Sequence, residues 1–146
     1  MPNIAEEFEM IDKSHFMDTL SLVISGMRKS LGLKQTELTE MSGIAQSSIS
    51  RIEKGKTDSA SLDTIYGISE AFGLKLSEFI GLVEEIAEEV GKIKTTHMGK
   101  QPTPQDKLAA AKEIEALFLK HELQVDKKTI FSVLDSSKVA ALNPAG

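Results

Sequence analysis

Between Gln35 and Gly55 the sequence reads QTELTEMSGIAQSSISRIEKG, and few local structures accommodate that order. Leu38 and Met41 are apolar at i and i+3 among Thr36, Glu37, Glu40 and Ser42. Ile49 and Ile52 repeat the spacing among Ser47, Ser48, Ser50, Arg51 and Glu53. Apolar residues three apart in a polar run form one face of a helix. Between the two runs lies Ser42-Gly43-Ile44-Ala45, where Gly43 can take a positive φ closed to a branched residue, so the chain can turn sharply.

Two helices of about two turns each, joined by a short turn containing Gly, make a helix-turn-helix unit. The outer face of the second helix is small and polar: Gln46, Ser47, Ser50 and Arg51. Such a face can enter a DNA major groove about 12 Å wide and hydrogen-bond to base edges. Ile49 and Ile52 face the opposite way, into the core, and Ser48 is expected inward or neutral.

At these residues the chain resembles the DNA-binding domain of the lambda-repressor/Cro family, also called the XRE family. Gln35 opens the first helix of the pair and Gln46, eleven residues on, opens the second. That pair at that spacing is a family feature, as are Leu38, Gly43, Ile44, Ile49 and the run Ser50-Arg51-Ile52-Glu53-Lys54-Gly55. The likeness covers roughly residues 17 to 82. It implies that Gln35 holds a backbone phosphate and braces Gln46, and that Gln46 reads a base, commonly adenine through N6 and N7. Ser47 and Arg51 match further base-facing positions, Arg being suited to guanine O6 and N7, with Ser50 a weaker candidate. Lys54 and Lys56 would contact phosphate, which gives position and affinity but no sequence information. Arg28 and Glu53 match an ion pair bridging the first helix to the end of the third, and Arg28 is also a candidate phosphate contact. The chain departs from the family where Thr39 replaces a usual Ala, where Lys34, Ala45 and Lys75 stand at positions often held by capping Ser or Thr, and where Ala60 replaces a Pro.

The pattern on either side predicts an all-α chain: a five-helix repressor-like domain, a linker and two C-terminal helices. Residues 1–14 read as a tail, with a helical turn at Ala5–Met10. A helix over about 15–31 would bury Phe16, Leu20, Val23, Ile24, Met27 and Leu31. Ser61 caps a fourth helix whose inner face is Leu62, Ile65, Ile68 (or Ser69) and Phe72. A fifth begins near Leu76 and carries an apolar stripe, Phe79, Ile80, Val83, Ile86, Ala87 and Val90, longer than its own domain needs. The expectation is that this stripe self-associates, the competing reading being that the C-terminal segment covers it. Residues 15–93 thus form the DNA-binding domain, 94–103 a Thr/Gly/Pro linker, and 104–146 a helical oligomerisation or partner-binding segment. In that segment Thr103 and Pro104 start a helix over about 104–122, with Leu108, Ala111, Ile114 (or Glu115), Leu117 and Phe118 inward. Asp126 caps a last one over about 127–135, with Ile130, Phe131, Val133 and Leu134 as its apolar positions, and the AALNPAG end is loose.

Charge and composition narrow the function. The net charge is −5, which argues against non-specific nucleic-acid binding by the whole chain. Residues 19–60, however, carry six basic side chains (Arg28, Lys29, Lys34, Arg51, Lys54, Lys56) against four acidic ones (Glu37, Glu40, Glu53, Asp58), a net of +2. Cysteine is absent, which removes disulfides and thiolate chemistry and fits a cytoplasmic protein. No apolar run approaches 18 residues, and the acidic N-terminus lacks the apolar core of a signal peptide, so no membrane role is expected. His15, His97 and His121 stand far apart and no phosphate-binding Gly motif is present, so no catalytic residue, metal or cofactor is expected. A Ser–Lys self-cleaving domain, found in some similar repressors, does not fit a short helical C-terminal segment. The expected partner is double-stranded DNA and the expected function is a sequence-specific transcriptional regulator, a repressor acting as a homodimer on a two-fold operator, because one short helix reads few base pairs. The alternative is an antitoxin-like protein that binds a partner through its C-terminal helices and autoregulates through its DNA-binding domain.

Overall fold

The structure is a computed structural model and describes residues 13–57 and 59–135. The expected tail, its turn at Ala5–Met10 and the AALNPAG end lie outside the described residues, apart from Lys13 and Ser14. Among the described residues every element is a helix: α1 (Lys13–Ser30), α2 (Gln35–Ser42), α3 (Gln46–Glu53), α4 (Leu62–Ala71), α5 (Leu76–His97), α6 (Pro104–Lys120) and α7 (Lys127–Asp135).

α1 is the axis of the molecule. Its apolar period predicts one buried face, yet residues 17–26 are buried all round. Leu22 is fully buried beside the expected Leu20, Val23 and Ile24, and Asp18, Thr19, Ser21 and Ser25 are buried as well. Packing explains this: α3 and α5 lie against α1, and α7 with the connection before it closes the remaining side. Ser21 and Asp18 have partners, whereas the Thr19 hydroxyl is buried without a hydrogen bond among the described residues. The Ser21 hydroxyl donates to the Met17 carbonyl at 3.1 Å, and Lys94 of α5 meets Asp18 at 3.4 Å. Gly26 is where the C-terminal connection comes closest, since a Cβ there would sit 2.8 Å from the Gln124 carbonyl oxygen. Leu31, expected in the core, lies past the end of α1 and is exposed.

The stripe on α5 is covered by the chain itself. Phe79, Val83, Ile86, Ala87 and Val90 are buried, with α1 and α6 packed against the helix, so the expected self-association surface is interior. α5 also runs to His97, through the first residues of the expected linker. The Thr95 and Thr96 hydroxyls bond back to the Gly91 and Lys92 carbonyls, both at 2.9 Å, and His97 bonds to Glu113 of α6. A Thr-rich run that reads as a linker is helical here because its end has a tertiary partner on α6, the Thr hydroxyls being satisfied by the carbonyls of the preceding turn.

Helix starts follow capping chemistry. Ser61 accepts from the Thr64 amide at 3.1 Å, and Thr103 and Asp106 exchange bonds around Pro104 at the first helical position. Lys34 and Lys75 cannot accept, but Glu37 and Glu78 accept from their backbone N–H groups, each at 2.9 Å, so α2 and α5 keep half of a capping box. Besides Leu31, two more expected core leucines are outside. Leu62 is 70% exposed because side chains lean toward the helix N-terminus, so the first residue of α4 overhangs its end. Leu108 is exposed and Ala110 takes the inward place, completing the buried face Ala110, Ala111, Ile114 and Phe118.

The C-terminal segment is tied to α1 by specific bonds. The Ser30 hydroxyl donates to the Glu122 carbonyl at 3.1 Å and accepts from the Gln124 amide at 2.9 Å. Asp126 caps α7 by accepting from the Thr129 amide at 2.7 Å and also pairs with Lys29 at 2.9 Å. Partial burial alone would raise the Asp126 pKa. The hydrogen bond from Lys29, the two from Thr129 and the Lys29 charge together outweigh it and lower the carboxyl to about 2.

Candidate nucleic-acid interface

The turn between α2 and α3 is built as its sequence requires. Gly43 takes φ 74°, and its amide returns to the Thr39 carbonyl at 2.9 Å. Gly67 of α4 packs beneath it, where a Cβ would come within 2.8 Å of the Ser42 carbonyl oxygen. Leu38, Ile49 and Ile52 are buried, and this fixes which way α3 faces. Gln46, Ser47 and Arg51 are left exposed on its other side, with Ser50 half-buried. Ser48, expected inward or neutral, is exposed, because the two isoleucines alone fill the contact with the core. Ser48 and Arg51 border a notch of about 180 Å³ whose other walls include the hydroxyl residues Thr57, Ser59, Ser61 and Thr64.

Behind this face a buried network sets the position of α3. Glu53, 6% exposed, accepts from Arg28 Nε at 2.8 Å, from Arg28 Nη2 at 2.9 Å and from Gln35 Nε2 at 3.2 Å. Arg28 Nη1 donates to the Leu33 carbonyl at 2.7 Å. One carboxylate thus joins the end of α1, the start of α2 and the end of α3. Arg28 points three of its N–H bonds at the protein, the arrangement expected of the ion pair with Glu53. The Gln35 amide is aimed at Glu53, at the far end of α3 from Gln46, so its bracing acts on the C-terminal end of α3.

The end of α3 presents its cations in a fixed order. Gly55 takes φ 69°, and the Lys56 amide returns to the Arg51 carbonyl at 2.9 Å. This closes the helix in a Schellman-type turn that leaves the Lys54 and Lys56 side chains exposed. Lys128 also stands here, a residue no local pattern singles out. With Lys54, Glu53, Thr129, Ser132 and Val133 it lines a cleft of about 170 Å³ between the end of α3 and α7. It is 74 positions from Lys54, and only the folding-back of the C-terminal segment brings the two together.

Residues 24–79 match the family model described as helix-turn-helix. No curated protein and no solved structure matches the chain.

Proposed function

Since residues 24–79 are a helix-turn-helix domain of the lambda-repressor/Cro (XRE) type, and the chain is a DNA-binding transcription regulator of that type, we propose that it is a repressor that binds a two-fold operator as a homodimer through the exposed face of α3. The observation that carries this reading is the contrast between the two sides of α3. Gln46, Ser47 and Arg51 are free to meet base edges, while Ile49, Ile52 and Glu53 are buried and bonded so that the helix cannot roll. Gln46 and Arg51 carry sequence preference, and Ser47, Ser48 and Ser50 adjust it. Lys54 and Lys56 hold phosphates, assisted by the second amide hydrogen of Gln35.

Homodimerism rests on the arithmetic of recognition, since two short readers on one site multiply discrimination. It does not rest on the α5 stripe, which is interior. The antitoxin-like reading has the weaker footing, because the apolar faces of α6 and α7, including Ile114, Phe118, Ile130 and Val133, are already turned into the chain's own core.

The experiment is a base-substitution binding series on a sequence selected from random DNA, run beside thermal melts. Gln46→Ala and Arg51→Ala should each flatten preference at one half-site position, by about 1–3 kcal/mol of discrimination, with the melting temperature unchanged. Variants that keep the wild-type preference at every position would overturn the assignment of α3 as the reader.

A further inference from the structure

We propose that the C-terminal helix α7 is part of the DNA interface: Lys128, supported by Lys127, grips the phosphate backbone beside the contact made by Lys54. The inference rests on the reading of α3 as the DNA reader and extends it to a segment outside residues 24–79, the stretch that matches the family.

Charge accounting on α7 and its cap points to this partner. The carboxylates there are both answered within the protein, Asp126 by Lys29 and Asp135 by Lys107, each at 2.9 Å. The lysines are not: Lys127 and Lys128 are exposed, and among the described residues neither makes an ion pair. Among the described residues the only carboxylate lining the cleft shared with α3 is that of Glu53, and it is already engaged by Arg28 and Gln35. Lys54 and Lys128 therefore line one cleft as like charges with no counter-ion among the described residues. Like charges held together are unfavourable in the free protein and favourable against a polyanion. The acidic balance of the whole chain makes an unneutralised pair at this place the more specific.

The geometry is also rigid. α7 is fixed to α1 by the Lys29–Asp126 pair, by the Ser30 hydroxyl bridging Glu122 and Gln124, and by the close approach at Gly26. α3 is fixed to the same helix through Arg28 and Glu53. Lys54 and Lys128 are thus two points on one frame, able to hold neighbouring stretches of duplex backbone. Contacts of this kind are blind to sequence and act through release of condensed cations.

The test uses the full chain with its selected DNA and with a random-sequence duplex, titrated over a range of salt. Lys128→Ala should weaken both by a similar factor, on the order of threefold, and reduce the slope of log K against log salt by about 0.9. Lys128→Glu should weaken both further, Lys128→Arg should bind as wild type, and all three should keep the wild-type melting temperature. Wild-type affinity and salt slope for Lys128→Glu, with binding still weakened by Lys54→Ala, would overturn the proposal and leave α3 as the reader. Loss of binding together with a lowered melting temperature, not restored in Lys128→Arg, would also overturn it, since Lys128 would then act through the fold. If Gln46→Ala and Arg51→Ala leave sequence preference intact, α3 is not the reader and the proposal falls with that assignment.

Discussion

Glu53 joins three helices through one carboxylate, and its loss should be felt by all of them. Removing one partner of a buried pair leaves the other charge uncompensated, which costs roughly 3–5 kcal/mol, and the slight solvent access of Arg28 places this site at the lower end. Glu53→Ala should therefore lower the melting temperature and weaken specific and random DNA alike, unlike Gln46→Ala, which should change preference alone. Parallel melts and titrations separate the two behaviours. Thr39 shows the opposite sign. Its hydroxyl is buried without a hydrogen-bond partner among the described residues. Thr39→Ala should raise the unfolding midpoint in urea with an unchanged slope, a gain of about 1 kcal/mol. Much at this scale was legible in the sequence. Helical period alone placed Gln46, Ser47 and Arg51 opposite Ile49 and Ile52. The direction of the Gln35 amide was not legible, because a side chain's choice between two partners depends on distances that only the packed helices set.

At the scale of elements, the Gly stops at Gly43 and Gly55 located the ends of α2 and α3, and the Thr103–Pro104 cap the start of α6, since those signals are local. α1 was misjudged for a physical reason. A polar residue within an apolar period reads as solvent-facing, and Asp18, Ser21 and Ser25 are buried because elements distant in sequence pack over α1. The same cause misplaced the α5 stripe, whose cover is α6. Two glycines test the packing of these helices. Gly26 meets the Gln124 carbonyl, so Gly26→Ala must push the connection off α1 and should destabilise by about 1–3 kcal/mol. Gly81 in α5 faces open space, so Gly81→Ala should stabilise by up to about 1 kcal/mol through helix propensity. Urea unfolding of both variants checks the contrast. Equal effects would mean that the C-terminal connection does not rest on α1.

At the scale of the molecule, the family-like stretch ends at residue 79, whereas the buried core runs from Met17 to Leu134. The C-terminal segment is a wall of the DNA-binding body, and its attachment should respond to acid. Asp126 ties α7 to Lys29 with its carboxyl lowered to about 2, against an ordinary value of 3.8. A carboxyl depressed in the folded state contributes stability that is fully present above the unfolded value and is lost as pH falls through the folded one. The window is therefore pH 4 down to 2. Asp126 is more than half exposed, so solvent screening keeps the energy modest and the pH dependence is the sharper observable. Asp126→Asn lacks this charge at every pH. Its unfolding free energy should lie below that of the wild type at neutral pH, and the gap should narrow between pH 4 and pH 2 and close beneath it. Taking the difference between the two proteins cancels the other carboxylates, including Asp106, whose pKa is lowered by its hydrogen bonds to Thr103. A gap that stays constant down to pH 2 would mean that the Asp126 charge does not hold α7 in place, and that Lys128 is kept beside Lys54 by the apolar contacts of Ile130, Val133 and Leu134 alone.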